Sequence, residues 1–351
     1  MGKLKKSGNT ALFNFYIVDL NGRKRAYNSF MKSKIARIIC FIFCCVSVLL
    51  APTLCYFKLR TVSGNDGKAE YKCVLNVWHT DTFPGGFGSR KRFIEKVAKS
   101  FEKKNKGVLV RVTDMSITAV NERLNSETPD VISYGTGVTA DITKLLALPF
   151  ESGKGGIVHG KTYACVWARN CYILFAKKGK TLSDDCSVIV GQSECNLPSV
   201  AFYTCGYRNP VIFSSPEKAC SDFLCGNADF FVGTLKDLYR LDKRGVEYDY
   251  TVLGDFDDLL QYVSVYDGEK SSYGVMFAES LVFSELKELN ESIGLMKENG
   301  ESLAEPSVKV GGEYKTISAF MAYNAVKELQ NALKGVSGKD EILNILKNAL
   351  L

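Results

Sequence analysis

Short apolar runs alternate with amphipathic segments in the first half of the chain beyond residue 72. Three runs rich in Val, Ile and Leu are typical of buried parallel strands, and the two segments between them repeat apolar residues at helical spacing. In chain order these elements are strand 73–78, helix 90–105, strand 108–112, helix 116–127 and strand 130–135. Ser89 can cap the first helix. This order predicts an α/β fold with a parallel sheet and right-handed crossovers.

Polar and aromatic residues follow the predicted strands at their carboxyl ends. Trp78, His79 and Thr80 end the first strand, and Tyr134 and Gly135 end the third. Ligands of open α/β sheets bind beyond the carboxyl ends of the strands. The sequence therefore predicts a binding site at this edge, where an aromatic ring can stack on a ligand and neighbouring polar groups can bind its hydroxyls.

The second half of the chain has a different pattern of apolar and polar residues. Residues 161–178 are predicted to form two strands joined at Arg169 and Asn170, with Trp167 near the turn. Later predicted elements are helices at 197–207 and 216–226, a buried strand at 228–233, a helix at 234–244, a strand and turn at 250–266, and a helical tail. Trp167, Arg169, Thr234 and Asp255 are the candidate ligand-binding residues of this half.

Residues 38–57 form a run of 20 residues without a charge. As a helix this run would span about 30 Å, the thickness of a bilayer core. Residues 1–37 carry nine Lys or Arg against the single acid Asp19, so the positive-inside rule predicts a cytoplasmic N-terminus and an extracytoplasmic body. An uncleaved single-pass anchor is favoured, and a secretory signal beginning at Met31 is the alternative. Residues 58–72 are polar and predict a linker.

The formal charge of +7 does not indicate nucleic-acid binding, because the basic residues concentrate before the apolar run. Four of the twelve cysteines lie in or at the end of that run, which leaves eight in the body. An even number in an exported body permits disulfides, but no pairing is dictated. The sequence has no C-x-x-C motif and only two histidines, so we expect no zinc site and no cofactor.

Several stretches together resemble the extracellular solute-binding proteins of bacterial ABC importers, in the type II group that includes sugar binders. The stretches that carry the resemblance are VLNVWHT, FIEKVAKSFEKKNKGVLVRV, PDVISYG, KTYACVWARNCYILFAKK, ADFFVGTLKDLYRL and FAESLVFSELKELNESIGLM, within residues 73–296. The resemblance implies a two-lobed fold, with lobe 1 at 73–145 and 233–270 and lobe 2 at 146–232 and 271–351. It also implies a ligand cleft between the lobes and no catalysis.

The resemblance further implies capture of a small polar ligand, a carbohydrate above all, by hinge closure and its delivery to ABC permease subunits. Gly135 and Gly233, each at the end of a predicted strand, are the candidate hinges. Trp78, Thr80 and Tyr134 would contact the ligand from the first lobe, and Trp167 and Arg169 from the second. Two alternatives stay open: a secreted hydrolase that uses His79 or the carboxylates Asp255, Asp257 and Asp258, and a non-transporting sensor or adhesin.

Overall fold

The structure, a computed structural model, describes residues 16–18, 24–26, 46, 70–85, 88–284, 295–296, 308, 313–336 and 339–347. The chain divides into two compact units, Met1–Ala69 and Glu70–Leu351. In the first unit, the strands Tyr16–Val18 and Lys24–Ala26 pair antiparallel.

The predicted membrane span at 38–57 lies outside the described residues, apart from Val46. None of the helices that the structure describes is both long enough and apolar enough to cross a bilayer.

The second unit contains two five-stranded mixed sheets with helices packed against them. The strands of these two sheets are β1 (Cys73–His79), β2 (Val108–Asp114), β3 (Val131–Tyr134), β4 (Cys165–Arg169), β5 (Tyr172–Lys177), β6 (Val188–Gly191), β7 (Val211–Ser214), β8 (Phe230–Thr234), β9 (Tyr248–Leu253) and β10 (Leu260–Val265). A separate short hairpin pairs Ile157–Val158 antiparallel with Lys161–Thr162. The helices of this unit are α1 (Arg90–Lys104), α2 (Ile117–Leu124), α3 (Pro198–Thr204), α4 (Pro216–Cys225), α5 (Leu235–Asp242), α6 (Ser271–Val282), α7 (Tyr323–Ala332) and α8 (Lys339–Leu346).

The first sheet has the strand order β2-β1-β3-β10-β4. Strand β1 pairs parallel with β2 and β3, while β10 pairs antiparallel with β3 and β4. Helix α1 begins after Ser89, whose hydroxyl accepts a hydrogen bond from the amide of Arg92, and it buries Phe93, Ile94 and Phe101. The strand–helix pattern predicted for residues 73–135 is confirmed.

The second sheet has the order β7-β6-β8-β5-β9. Strands β7, β6 and β8 run parallel, and β5 is antiparallel to both β8 and β9. The chain passes from the first sheet to the second at residues 170–171, and it returns at 254–259. The amide of Asn170 donates to the carbonyl of Leu259 (2.9 Å), so these two crossing segments lie side by side.

The two strands predicted in 161–178 are confirmed: β4 and β5 follow each other along the chain, β4 in the first sheet and β5 in the second. The sheets divide the chain differently from the predicted lobe boundaries. Strand β4 and helix α6 pack with the first sheet, whereas β9 belongs to the second. Local sequence predicts a strand well, but its sheet partner depends on distant segments.

The largest apolar cluster includes side chains from both sheets, among them Phe93 and Trp167 of the first half and Val190 and Val232 of the second. Both sheets are therefore parts of one compact unit rather than two separate bodies.

Candidate functional site

Each sheet contains a topological switch point, where connections leave neighbouring parallel strands in opposite directions. In the first sheet the switch lies between β1 and β3, because α1 leads to β2 on one side and α2 leads back to β3 on the other. In the second sheet it lies between β6 and β8 for the same reason. Ligands of open α/β sheets bind outside the carboxyl ends of the strands at such points.

The two carboxyl edges contact each other next to these switch points. Gly137, which follows β3, has a φ of +99°, and a Cβ at this position would lie 2.5 Å from Sγ of Cys195, which follows β6. Ile117 of α2, Cys195 and Val326 of α7 form one small apolar cluster. The segment after β3 therefore faces the turn after β6, and only glycine fits at residue 137.

Five buried polar atoms around this junction make no hydrogen bond with any residue that the structure describes. They are Oγ1 of Thr80, Oγ1 of Thr136, Oγ of Ser193, Nδ2 of Asn196 and Oδ2 of Asp258. Thr80 and Thr136 follow β1 and β3, Ser193 and Asn196 follow β6, and Asp258 lies in a crossing segment. Because a buried polar atom without a partner costs about 1–3 kcal/mol, such a concentration is typical of a binding site rather than a packed core.

Asp258 is held by Tyr172, the first residue of β5. The Tyr172 hydroxyl donates to Oδ1 of Asp258 (2.6 Å) and accepts from the amide of Leu197 (3.3 Å). Burial raises the pKa of Asp258 to about 7, and the hydrogen bond from Tyr172 offsets this only in part. Near neutral pH the carboxyl group can thus accept a hydrogen bond from a ligand as an anion or donate one as an acid.

Asp257, the neighbouring residue, has a different partner. Its Oδ2 lies 2.9 Å from one guanidinium nitrogen of Arg169 and 3.0 Å from another, and both side chains are buried. The guanidinium also lies 4.3 Å from the ring centroid of Tyr314. Burial raises the pKa of Asp257, while the charge of Arg169 works in the opposite direction. Arg169 is the last residue of β4, at the point where the sequence predicts the two strands to join.

His79, the last residue of β1, belongs to a buried network of polar side chains. The hydroxyl of Ser133 accepts hydrogen bonds from Nε1 of Trp167 (3.0 Å) and Nε2 of Gln261 (3.2 Å), and it lies 3.1 Å from Nδ1 of His79. Because both lone pairs of the hydroxyl are occupied, its proton is donated to Nδ1, and the imidazole carries its own proton on Nε2.

Nε2 of His79 faces Oδ1 of Asp81 at 3.0 Å, and Nε of Arg90 lies 2.6 Å from the same oxygen. Partial burial opposes the charge of Asp81, but the hydrogen bond with His79 and the charge of Arg90 together lower its pKa. Ser133, His79 and Asp81 are thus linked in the same order as the serine, histidine and aspartate of a hydrolase triad. Ser133, however, is fully buried and its lone pairs are occupied, so the network positions the loop after β1 instead of activating a nucleophile.

The two tryptophans, which the sequence predicts to contact the ligand from opposite lobes, are both buried in apolar clusters. Trp78 is only 3% exposed, belongs to one core cluster and lies against the guanidinium of Arg123 (4.6 Å). Trp167 is 1% exposed, belongs to another cluster and stacks on Phe93 with ring centroids 5.5 Å apart. Trp167 and Arg169 also lie in the first sheet, not in a second lobe.

The other predicted site residues have mixed placements. Thr80 lies at the junction, whereas the buried hydroxyl of Tyr134 is hydrogen bonded to Ser264 (3.0 Å). Thr234 ends β8 and caps α5, and its amide donates to Asp237 (3.0 Å). Asp255 is exposed and lines a separate cavity of about 280 Å³ beside Tyr314.

The two candidate hinge glycines lie at positions where a side chain would collide with its neighbours. Gly233 lies inside the second sheet, opposite Ile173, and a Cβ there would contact Phe231 and Asp237 at 2.6–2.7 Å. A Cβ on Gly135 would lie 1.9 Å from Oγ1 of Thr82. The passages between the sheets lie elsewhere, at 170–171 and 254–259.

The sequence interpretation missed Thr136, Ser193 and Asn196, and it considered Asp258 only as a catalytic carboxylate. Strands β6 and β7 were not predicted, so the polar residues that follow β6 had no strand end to mark them. The signal was present in the short run VIVG at 188–191, directly followed by Gln192 and Ser193.

The eight cysteines of the second unit are all free thiols in the structure; five of them are buried, Cys186 and Cys205 are half-buried, and Cys225 is exposed. Among the residues that the structure describes, no group of three His, Cys, Asp or Glu side chains could hold a metal ion.

No protein-family model matches the sequence, and no curated protein matches it. Solved structures do. The sugar-binding protein MalE from the phytopathogen Xanthomonas citri has a TM-score of 0.50 and 11% identity, covering 79% of this chain and 96% of that one. The GacH receptor of Streptomyces glaucescens has a TM-score of 0.49, 15% identity and coverage of 80% and 98%. The maltose–maltodextrin-binding protein of Alicyclobacillus acidocaldarius has a TM-score of 0.49, 13% identity and coverage of 78% and 99%.

At such identities the likeness concerns the fold, and the comparison with MalE supports it. The resemblance predicted from the sequence is thereby confirmed at that level: this chain has the type II fold of the solute-binding proteins of ABC transporters.

Proposed function

We propose that this protein is an extracytoplasmic solute receptor of an ABC importer that binds a small polar ligand between its two sheets. The observation that carries the proposal is the convergence of five buried, unpartnered polar atoms from both sheets on the junction of their switch points. A ligand bound there would contact both sheets at once, which is the condition for a ligand to favour a closed state over an open one.

A carbohydrate is the ligand class that these atoms suit best. Three hydroxyl groups (Thr80, Thr136 and Ser193) can each donate and accept, Nδ2 of Asn196 donates, and Oδ2 of Asp258 can accept. Sugar hydroxyls both donate and accept hydrogen bonds, so they match this mixture. The fold shared with MalE, a sugar-binding protein, is consistent with this class.

The membrane segment is the second part of the proposal. Residues 1–37 would be cytoplasmic, 38–57 would anchor the chain in the membrane, and 58–72 would link the anchor to the receptor body.

The third part of the proposal is closure of the receptor. The crossing segments 170–171 and 254–259, rather than Gly135 and Gly233, would act as the hinge. The closed receptor would then present both halves of the body to permease subunits.

The proposal is tested by thermal unfolding of the full chain with a panel of mono- and oligosaccharides, amino acids and short peptides. A ligand that binds only the folded state raises the unfolding temperature by mass action. We expect at least one sugar to do so, and we expect Asn196→Ala and Asp258→Asn to remove most of its shift. Asp255→Asn, which changes an exposed carboxylate outside the junction, is the matched control. The proposal fails if no compound shifts the wild type, or if the junction variants respond as the control does.

A further inference from the structure

A second cavity lies beside the junction, over the carboxyl ends of β6 and β7. Its volume is about 390 Å³, within the range of small-molecule sites. Ser193 and Glu194 line it from the turn after β6, and Ser214 lines it from the end of β7. Helix α7 forms the remaining wall.

The helix that closes this cavity is fixed by specific contacts. Nε2 of Gln330 donates to the carbonyls of Ser193 (3.1 Å) and Asn196 (2.8 Å), and Val326 packs on Cys195. Lys327 and Gln330 lie three residues apart on one face of α7, Lys334 lies in the turn that follows the helix, and all three line the cavity. The position of the two lysines therefore follows from the packing of α7.

The charges of this cavity are unbalanced. Neither lysine forms an ion pair with a described residue: Nζ of Lys334 donates to the amide oxygen of Asn331 (2.8 Å), and Nζ of Lys327 lies 5.3 Å from the ring centroid of Tyr323. Glu194, the acid among the lining residues, is exposed. Oγ of Ser193 is buried and has no hydrogen-bond partner among the described residues.

From this arrangement we infer a second binding site, for a phosphate group, in the cavity under α7. Two ammonium groups match the nearly doubly negative charge of a phosphate near neutral pH, and the serine hydroxyls supply neutral donors. The phosphate can be free or part of a phosphorylated small molecule. The site does not depend on the proposed sugar site, although Ser193 belongs to the walls of both.

The test is calorimetric titration of the full chain with inorganic phosphate and, separately, with glucose 6-phosphate, in a low-salt buffer without phosphate. We expect Lys327→Gln combined with Lys334→Gln to weaken binding about tenfold or more, because charge-assisted hydrogen bonds are lost. Glu194→Gln removes the opposing charge and should tighten binding a few-fold. The double variant Lys99→Gln and Lys103→Gln on α1, with the same loss of charge at exposed positions, should bind as the wild type does.

Binding of both compounds, or of inorganic phosphate alone, supports a site for the phosphate group itself. Binding of glucose 6-phosphate alone supports it only if the lysine variant removes that binding. The inference is overturned if neither compound binds, if the α7 variant binds like the wild type, or if the α1 control loses as much affinity. Asp258→Asn should leave phosphate binding unchanged, so failure of the sugar site and failure of this site are distinguishable. Circular dichroism melting of each variant verifies that it is folded.

Discussion

At the scale of single residues, the polar side chains beneath the β1 edge form a closed set, while those at the junction do not. Ser133 uses its donor and both acceptors, on His79, Trp167 and Gln261. Thr80, which follows the same strand as His79, keeps its hydroxyl unpaired. The fully hydrogen-bonded network around Ser133 is therefore structural, whereas the unpaired hydroxyl of Thr80, the residue after His79, belongs to the proposed binding site.

Ser133→Ala tests the structural network. The variant leaves Nε1 of Trp167 and Nε2 of Gln261 with one partner fewer in a buried region. We expect a loss of about 2–4 kcal/mol in the free energy of unfolding, since each unpaired buried donor costs about 1–3 kcal/mol. Urea denaturation gives the value, and Ser100→Ala at an exposed position is the control. A loss no larger than that of the control would contradict the network.

Asp258→Asn tests the environment of the junction carboxylate. An aspartate in the unfolded chain has a pKa of about 3.9, whereas that of Asp258 in the folded protein is about 7. Between these values the folded state holds a proton that the unfolded state has lost, so this residue lowers stability as the pH rises and the penalty is complete above about pH 7. The stability of the variant relative to wild type should therefore increase from about pH 5 to about pH 7.5, by at most about 1.4 kcal/mol per pH unit. If the difference in unfolding free energy between variant and wild type stays constant over this pH range, burial does not raise the pKa of Asp258.

Residue types at strand ends were predictable, but the orientation of their side chains was not. The sequence placed Trp78, Thr80 and Trp167 at or near strand ends, as the structure does. Whether an aromatic ring faces a ligand or the core depends on what covers that face of the sheet. Phe93 of α1 covers Trp167, and Arg123 of α2 covers Trp78. These contacts join residues far apart in sequence, so no local pattern reveals them.

At the scale of elements, the loop after β1 is held by β3 and α1. The amide of Thr80 donates to the carbonyl of Ser133 (2.9 Å), and the guanidinium of Arg90 bonds to the carbonyl of Phe83. Thr82 fills the space that a side chain at Gly135 would occupy. The loop and the end of β3 therefore pack as one layer at the junction.

Gly135→Ala tests this packing. The added Cβ would lie 1.9 Å from Oγ1 of Thr82, so one of the two segments must shift. Overpacking of this kind costs about 1–3 kcal/mol of stability, measured by urea denaturation. Adding Thr82→Ala removes the nearest atom and should restore part of the loss, although the carbonyl of Leu260 remains 3.0 Å away. A double variant less stable than Gly135→Ala would contradict the proposed contact.

Helices and strands were predictable where the periodic pattern of apolar residues was long. They were less predictable where the pattern was short or where contacts between distant segments determine the pairing of strands. Helix α1 has five apolar residues on one face and a serine cap, and its bounds agree with the prediction. Strands β6 and β7 have four residues each, too few for a clear period, and they were missed. The strands at 161–178 were found, but their sheets were not, because pairing with β10 or β8 depends on residues far along the chain.

At the scale of the whole molecule, the passages between the sheets are joined by a buried ion pair. Arg169 ends β4 at one crossing, and Asp257 lies in the other. Arg169 also exchanges two backbone hydrogen bonds with Met296, at 2.7 and 2.9 Å. A hinge in this region would therefore rotate about a charged, hydrogen-bonded centre.

Arg169→Met tests the importance of this centre. The variant leaves the carboxylate of Asp257 buried without its cation, and breaking a buried pair typically costs about 3–5 kcal/mol. Combining it with Asp257→Leu removes the unpaired charge, so we expect the double variant to regain much of the lost stability. Equal losses in the single and double variants, measured by denaturant unfolding, would contradict an electrostatic origin.

The central claim is that one ligand binds to both sheets at their switch points. Hydrogen–deuterium exchange of the full chain, with and without the sugar that most raises its unfolding temperature, tests this directly. The account predicts slower exchange in the segments 133–137 and 193–197 together, since the ligand would connect the ends of β3 and β6. Protection confined to one of these segments, or absent from both, would contradict it.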